Sequence, residues 1–459
     1  MDQSIKFDLD LINRYDKSGP RYTSYPTALE LHEGFGDAEY RQHIEKSNSI
    51  GGPLSLYFHL PFCDTVCFYC ACNKIVTKNR AHAVPYLDNL CKEIAMLGEL
   101  FDKNRKVTQL HWGGGTPTFL SYEQMKRLMD VTHEYFNLYC DDTGEYSIEV
   151  DPRETNDRTI AQLRELGFNR ISLGLQDFDP DVQKAVNRLQ SKEQTFAVLE
   201  SARKEGFRST NIDLIYGLPL QTEYTFATTL DQVLIYAPDR FSIFNYAHMP
   251  SRFKTQRQIN EADLPTAAVK LEILQMVGKK LTDAGYVYIG MDHFAKPDDE
   301  LAIAQRDGKL YRNFQGYSTH SDCDLIGLGV TSIGRVGDAY MQNYKELDQY
   351  EEAISASRLP VFKGVDLDDD DKLRRAVITQ LICHFDLDFS QIELEFKIVF
   401  SEYFAHELAN LKIMEKDGLL SFTTNGIKVK TAGRLLIRNI CMAFDKYLLQ
   451  KQQQFSKVI

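Results

Sequence analysis

Between residues 50 and 295 the chain alternates short apolar runs with longer charged stretches, and the junction between the two recurs. RELGFNRISLGLQDF around Gly167, RKEGFRSTNIDLIYGLP around Gly206 and TDAGYVYIGMDHF around Gly285 share one grammar: a charged helix ends at a glycine, an aromatic follows and a strand begins. Glycine suits the position after a helix because it enters the left-handed conformation without a Cβ penalty. The first two glycines are 39 residues apart and the third lies 79 further on, which leaves room for one more unit with RFSIFNYAH, 240–248, as its strand. Units of this length are strand–helix modules.

The apolar runs place strands at about 54–60 (LSLYFHL), 106–112 (KVTQLHW), 146–151 (YSIEVD), 170–176 (RISLGLQ), 211–216 (NIDLIY) and 241–247. Six consecutive units with apolar strands predict an α/β fold, a parallel sheet under helices that curves as a partial (β/α)6 TIM-like barrel over 51–345. A doubly wound open sheet is the alternative. Near residue 345 the rhythm stops, and 346–459 reads as a mainly helical C-terminal domain. Its helix opens on Asp368 to Asp371, and the order helix, Gly418, strand, Asn425-Gly426 turn, strand, helix resembles a winged-helix segment. Residues 1–50 are polar and carry PRYTSYP at 20–26, which suits an N-terminal arm covering the active site.

Charge narrows the partners. Of 459 residues, 53 are Lys or Arg and 65 are Asp or Glu, and a net charge of -12 argues against nucleic-acid binding, the winged-helix order included. That segment is expected to pack or to cover substrate. MDQSIKFDLD lacks a basic segment followed by an apolar stretch, and no run approaches membrane-spanning length, so a cytoplasmic, membrane-free monomer is expected. Thiols stay reduced there, which makes clustered cysteines a metal or redox site.

Four of the nine cysteines fall in PFCDTVCFYCAC. Cys63, Cys67 and Cys70, spaced C-x-x-x-C-x-x-C, can converge on one inorganic core. A [4Fe-4S] cluster ordinarily takes four cysteinates, so three ligands leave one iron open to the amine and carboxylate of a methionine-like cofactor. Cys72, two residues from Cys70, is expected beside the cluster rather than on it. Structural zinc and inert thiols are the rival readings, but no second, distant C-x-x-C is present. Phe68 and Tyr69 either exclude water or anchor the loop. Cys91, Cys140, Cys323, Cys383 and Cys441 read as isolated, buried thiols. A second element, HWGGGTP at 111–117, follows strand two; its glycines permit close approach of a ligand, and it is not a phosphate-binding Walker sequence.

These motifs resemble the radical S-adenosylmethionine superfamily and, within it, the oxygen-independent coproporphyrinogen III oxidases, oxidoreductases of haem and porphyrin biosynthesis. The resemblance runs through PRYTSYPTA, SLYFHLPFCDTVCFYCACNKI, QLHWGGGTPTFL, SIEVDPRE, ISLGLQDF, NIDLIYGLP, FNYAHMP, MDHFAKPDDEL, RNFQGYSTH and GRLLIRNICMAFD. It implies a [4Fe-4S] cluster on Cys63, Cys67 and Cys70, with Cys72 off it. It further implies a first S-adenosylmethionine lined by Gly114, Gly115 and Thr116, with Tyr57 and Glu149 beside it. Arg188 would meet the cofactor's carboxylate, and Gln176 and Asp213 its ribose. A second S-adenosylmethionine would engage Ala247, Phe314, Gln315 and Ile333.

The implied reaction uses a 5′-deoxyadenosyl radical to abstract hydrogen from two propionates of coproporphyrinogen III, which lose carbon dioxide to become the vinyl groups of protoporphyrinogen IX. No side chain is assigned a chemical step. An electron donor and an electron acceptor are required, without a signature for either. From the residues alone Arg188, in VNRLQSKEQ, reads as solvent-exposed, Phe314 and Ile333 read as core, and Asp213 and Glu149, flanked by apolar residues, need a ribose or a cation as partner. Arg21, Tyr22, Lys74, Arg312 and Arg335 are candidates to hold the four substrate carboxylates. A haem chaperone on the same barrel, and a non-catalytic metal-binding interaction protein, are the alternatives.

Overall fold

The structure, a computed structural model, describes residues 5–448; the extreme ends of the expected arm and tail, 1–4 and 449–459, lie outside them. Six parallel strands run in sequence order: β1 (Leu54–Leu60), β2 (Lys106–Gly114), β3 (Glu145–Val150), β4 (Arg170–Gln176), β5 (Ser209–Tyr216) and β6 (Arg240–Asn245). Helices join them, among them Ala83–Leu100, Tyr122–Tyr135, Asp157–Glu165, Lys192–Lys204 and Glu223–Leu234. Their starts carry local signals: Ser121 and Ser191 accept from the third backbone amide of their helices, with Gln124 and Gln194 reaching back. At the helix ends Gly167, Gly206 and Gly285 all hold positive φ. The third junction, however, leads into an antiparallel hairpin, Val287–Gly290 with His293–Ala295, rather than into a parallel strand.

The strands differ from the expected apolar runs in one respect that matters for the site. One face of β3, β4 and β5 is buried without exception, whereas the other carries Ser147, Glu149, Ser172, Gly174, Gln176, Asn211 and Asp213, each only partly buried. The barrel interior here is lined with small and polar groups instead of packed apolar layers. Strand two also runs further than expected, so Gly113 and Gly114 are its last residues and not a loop that follows it.

The sheet continues beyond β1. Strand β7 (Asp324–Leu328) pairs in parallel with β1, and β8 (Ile333–Val336), β9 (Ala339–Asn343) and β10 (Val361–Asp366) extend it antiparallel. This four-strand extension is absent from the sequence reading. Compact units divide at 29/30, 265/266, 321/322 and 366/367, whereas the sequence reading places boundaries at 50/51 and 345/346. One unit holds 30–265 and 322–366, the barrel with its extension and the helix Asp37–Ile50. The other holds 1–29, 266–321 and 367–459.

In that second unit the start of the chain is anchored on the C-terminal elements. Tyr15 donates to Asp417 at 2.6 Å, Tyr22 to Asp445 at 2.9 Å, and Asn439 to the Tyr15 carbonyl at 2.8 Å. The helix Asp369–His384 begins in a capping box between Asp368 and Asp371, and the strands Leu420–Thr423 and Gly426–Val429 form an antiparallel sheet with Asp386–Asp388. Among the described residues no helix is long and apolar enough to cross a membrane. Of the five isolated cysteines, Cys323, Cys383 and Cys441 are buried as expected, Cys91 is half-buried, and Cys140 is exposed on a loop of acidic residues, against the expectation of burial.

One buried ion pair ties the N-terminal edges of β1, β2 and β7. Arg105 meets Asp324 at 2.7 Å with both side chains at most 10% exposed, and donates to the Gly52 carbonyl at 2.8 Å and to Ser47 at 3.0 Å; Asp324 accepts the Gly337 amide at 2.8 Å. Removing one member strands the other charge in a dry site, so Arg105→Ala is expected to cost about 3–5 kcal/mol, read from the denaturant midpoint of the barrel transition.

Candidate radical S-adenosylmethionine site

The loop that carries the clustered cysteines leaves β1 and is braced at three points. At its start the Gly115 amide donates to the Leu60 carbonyl at 2.8 Å and the Thr116 amide to Phe62 at 2.7 Å. At its middle the Phe68 amide donates to the Val186 carbonyl at 3.0 Å and Asn187 to Val66 at 2.8 Å. At its end Thr255 and Gln256 donate to the carbonyls of Cys70 and Tyr69 at 3.1 and 3.0 Å. Phe68 and Tyr69 pack against the apolar cluster of Val182, Val186, Leu218, Tyr246 and Ile259, the anchoring role. Lys74, a candidate for substrate carboxylates, donates instead to the carbonyls of Cys70 and Cys72 at 3.1 and 3.4 Å and so closes the loop on itself.

The glycines after Trp112 serve this packing. A Cβ on Gly113 would stand 2.9 Å from the Glu149 carboxylate, one on Gly114, whose φ is +108°, 2.6 Å from His59, and one on Gly115 2.6 Å from the Phe62 carbonyl oxygen. Close approach is required, but by the protein's own strand and loop as much as by a ligand.

Cys63, Cys67, Cys70 and Cys72 line one open cleft at the C-terminal ends of the strands, together with Gly114, Gly115, Thr116, Glu149, Gln176, Arg188 and Asp213. The structure thus brings together the residues expected around a first cofactor, with Tyr57 one step behind. The Tyr57 ring stacks on His111 at 5.9 Å, and His111 lies 3.4 Å from Glu149. Among the rest, Ala247 follows β6 with its carbonyl bonded to Gln256, and Ile333 opens β8; neither lines the cleft. Phe314 and Gln315 form the tip of the hairpin Tyr311–Asn313/Gly316–Ser318 in the other unit. Arg335 donates to the Cys323 carbonyl at 2.7 Å, and Arg21 meets Asp292 at 2.7 Å.

Arg188 corrects the reading of its polar segment, because it is buried. Its Nη1 lies 3.1 Å from Asp151 and 3.4 Å from the Cys67 sulfur, its Nη2 donates to the Gly174 carbonyl, and its Nε is buried without a partner. Two residues that the motif reading missed, Asp151 and Arg153, complete this corner. Asp151, just past β3, also receives Arg153 at 2.6 Å, and Arg153 Nη2 lies 3.6 Å from the same sulfur. Burial would raise the Asp151 pKa, yet Arg188 and Arg153 hold it at about 2. SIEVDPRE already placed an acid and an arginine at the barrel mouth; only the turn Pro152–Glu154 shows that they face the thiols.

Asp213 also departs from expectation, since its partners in the barrel are neutral. Ser172 donates to it at 3.0 Å and Asn211 at 2.8 Å. Burial, reinforced by the nearby Glu149, raises its pKa to about 6. Burial would likewise raise Glu149, but His111 and the Gly114 amide, at 3.1 Å, bring it below the ordinary carboxylate range. Burial pushes the Cys63 thiol up to about 11, while a hydrogen bond with Cys72 draws Cys70 down. Thr116 donates to Cys63 at 3.7 Å.

Three thiols on a braced loop are a donor set suited to an iron–sulfur core, and the groups facing them have unmet bonding capacity. Besides Arg188 Nε, the Oε1 of Gln176 is buried without a partner, on a residue held at φ +69°. One cation, one amide and an acid whose partners in the barrel are all neutral fit a ligand with a carboxylate and a diol, as S-adenosylmethionine has.

Comparison with known proteins agrees with this geometry. Residues 57–233 match the radical SAM superfamily and residues 367–436 the HemN C-terminal domain. Oxygen-independent coproporphyrinogen III oxidase of Pseudomonas aeruginosa is 53% identical over 99% of both chains, and that of Escherichia coli 53% identical over 100% of this chain and 99% of its own. The solved structure of the Escherichia coli oxidase, a radical SAM enzyme, superposes with a TM-score of 0.92 over 97% of this chain and all of that one, at 51% identity. With both ends of the chain included in a match this close, the protein belongs to the oxygen-independent coproporphyrinogen III oxidase family of the radical SAM superfamily.

Proposed function

We propose that this protein catalyses the oxygen-independent oxidative decarboxylation of two propionate side chains of coproporphyrinogen III to vinyl groups, giving protoporphyrinogen IX. The observation that carries the reading is the similarity to oxidases of that name across the arm, the barrel and the C-terminal elements, with three thiols lining one cleft at the barrel mouth. Radical SAM enzymes use a [4Fe-4S] cluster and S-adenosylmethionine, and when bound these supply the electron and the 5′-deoxyadenosyl radical that removes hydrogen from the propionate.

In this reading Cys63, Cys67 and Cys70 hold the cluster and Cys72 stands beside it. Gly114, Gly115 and Thr116 present backbone to the first S-adenosylmethionine. The buried Nε of Arg188 meets its carboxylate, and Gln176 and Asp213 meet its ribose hydroxyls. Glu149, backed by His111 and Tyr57, accepts from its ammonium. Phe68 and Tyr69 keep water from one flank of the loop, which protects a reactive radical from other hydrogen donors. A second S-adenosylmethionine on Ala247, Phe314, Gln315 and Ile333 rests on the family resemblance, and the buried, unpartnered Nε2 of Gln315 is compatible with it.

Anaerobic reconstitution followed by reductant, S-adenosylmethionine and coproporphyrinogen III should yield protoporphyrinogen IX and 5′-deoxyadenosine by mass analysis. Absence of both from protein with an intact cluster would sink the assignment. Cys63→Ala, Cys67→Ala and Cys70→Ala should each abolish binding of about four irons per chain, while Cys72→Ala retains them; colorimetric iron and the visible cluster band are the readouts.

Asp213 supplies a pH test. Because its folded pKa, about 6, lies above that of the unfolded chain, its protonated form favours folding, and the stability it contributes is lost as pH rises through about 6. Binding of a ribose diol follows the opposite sign, since the carboxylate is the acceptor. Asp213→Asn is therefore expected to raise the melting temperature of the ligand-free protein at neutral pH while weakening S-adenosylmethionine binding by about tenfold, and to flatten both pH profiles.

A further inference from the structure

The hairpin Tyr311–Asn313/Gly316–Ser318 holds a cation with nowhere to discharge its bonding capacity. Arg312 is 7% exposed and pairs across the hairpin with Tyr317, its guanidinium carbon 4.6 Å from that ring's centroid. Tyr317 is fixed in turn by donating to the Ile382 carbonyl at 3.0 Å. Yet Nε and Nη1 of Arg312 are buried without a hydrogen-bond partner, and so is Nε2 of Gln315, three residues on. Each buried, unpartnered side-chain atom on this hairpin is thus a donor.

Among the described residues no carboxylate forms an ion pair with Arg312. Asp292 is engaged by Arg21 at 2.7 Å. Arg438, 4% exposed, donates to the carbonyls of Pro20, at 2.9 Å, and Gly19. Burial lowers the Arg438 pKa to about 10, and Arg21 and Arg312 add to the lowering while Asp292 and Tyr22 only partly oppose it, so Arg438 lies in the field of two further guanidinium groups. A buried guanidinium cannot escape its desolvation cost by losing a proton. An anion is the ordinary remedy, and the anion that the proposed reaction offers is a carboxylate.

We propose that Arg312, supported by Gln315 and by the positive field of Arg21 and Arg438, is a carboxylate-binding site in the unit formed by 1–29, 266–321 and 367–459. The proposal rests on the oxidase reading for its choice of ligand. Two carboxylates share the required chemistry: a propionate of the tetrapyrrole, and the amino-acid end of an S-adenosylmethionine molecule other than the one at the cysteine cleft. Arg312 then acts by orienting a ligand and not by transferring protons.

The test uses the full chain with its cluster and the variant Arg312→Met. Fluorescence quenching gives the affinities for coproporphyrin III and for its tetra-amide, which lacks the charges; equilibrium dialysis gives the equivalents of S-adenosylmethionine bound. The wild type should prefer the acid, and the variant should shrink that preference by about tenfold or more, if the carboxylate is the tetrapyrrole's. If it is the cofactor's, the variant should bind one equivalent fewer of S-adenosylmethionine with the porphyrin preference intact. Removal of an unpaired buried charge should leave the melting temperature unchanged or higher. Unchanged porphyrin preference together with unchanged S-adenosylmethionine stoichiometry overturns the proposal, whatever the melting temperature does. Should Arg312→Met fail to fold, Arg312→Gln, which keeps neutral donors, is read by the same criteria. A wild type that binds the acid selectively but forms no protoporphyrinogen IX would defeat the oxidase reading and leave this site standing.

Discussion

Three sulfurs can serve one inorganic core only if the short loop that carries them is held more rigidly than a surface loop ordinarily is. Much of the architecture around the cleft answers that demand. The loop has no regular structure of its own beyond the paired short strands Phe62–Cys63 and Ile75–Val76, so much of its polar backbone is satisfied from outside. Carbonyls and amides from the ends of β1 and β2, the turn at Val186–Asn187 and the segment at Thr255–Gln256 do this, which makes the position of the thiols a property of three separate barrel connections. The glycines of HWGGGTP belong to the same constraint, since any side chain at 113–115 would push β2 away from Glu149, His59 or the loop's first turn.

Charge is handled with comparable economy inside the barrel. The inner faces of β3 and β5 and the turn just past β3 carry acids that would be costly there alone, and each is treated differently. Asp151 shares two arginines that also reach a thiol, Glu149 is drawn down by His111 and a backbone amide, and Asp213 receives only neutral donors and keeps a raised pKa. An uncommitted acid, an orphaned arginine nitrogen and an orphaned glutamine oxygen around one cleft form a site with bonding capacity reserved for a ligand.

Much of this was legible in the linear chain because the relevant signals are local. The apolar runs YSIEVD, RISLGLQ and NIDLIY place the strands within two residues, and a glycine after a charged helix marks three of the junctions. The thiol spacing is equally local. What could not be read depends on contacts distant in sequence: β7 returns to β1 across some two hundred and seventy residues, after an insertion, 266–321, that belongs to the other compact unit. Arg188 looked exposed because its neighbours are polar, and its burial follows from Asp151 and Gly174 on other strands. Tyr15, Tyr22 and Asn439 join the chain's two ends for a reason no local pattern contains.

In the proposed function the chain supplies three thiolates to a four-iron cluster and the remaining position takes the amino-acid end of S-adenosylmethionine. Electron–nuclear double resonance on the reduced, reconstituted protein, with S-adenosylmethionine carrying ¹⁷O in its carboxylate and ¹⁵N in its amine, tests this directly. Both labels should show strong hyperfine coupling to the cluster, of the size expected for direct ligation. A cluster that is intact and reducible but shows no coupling to either label would contradict it.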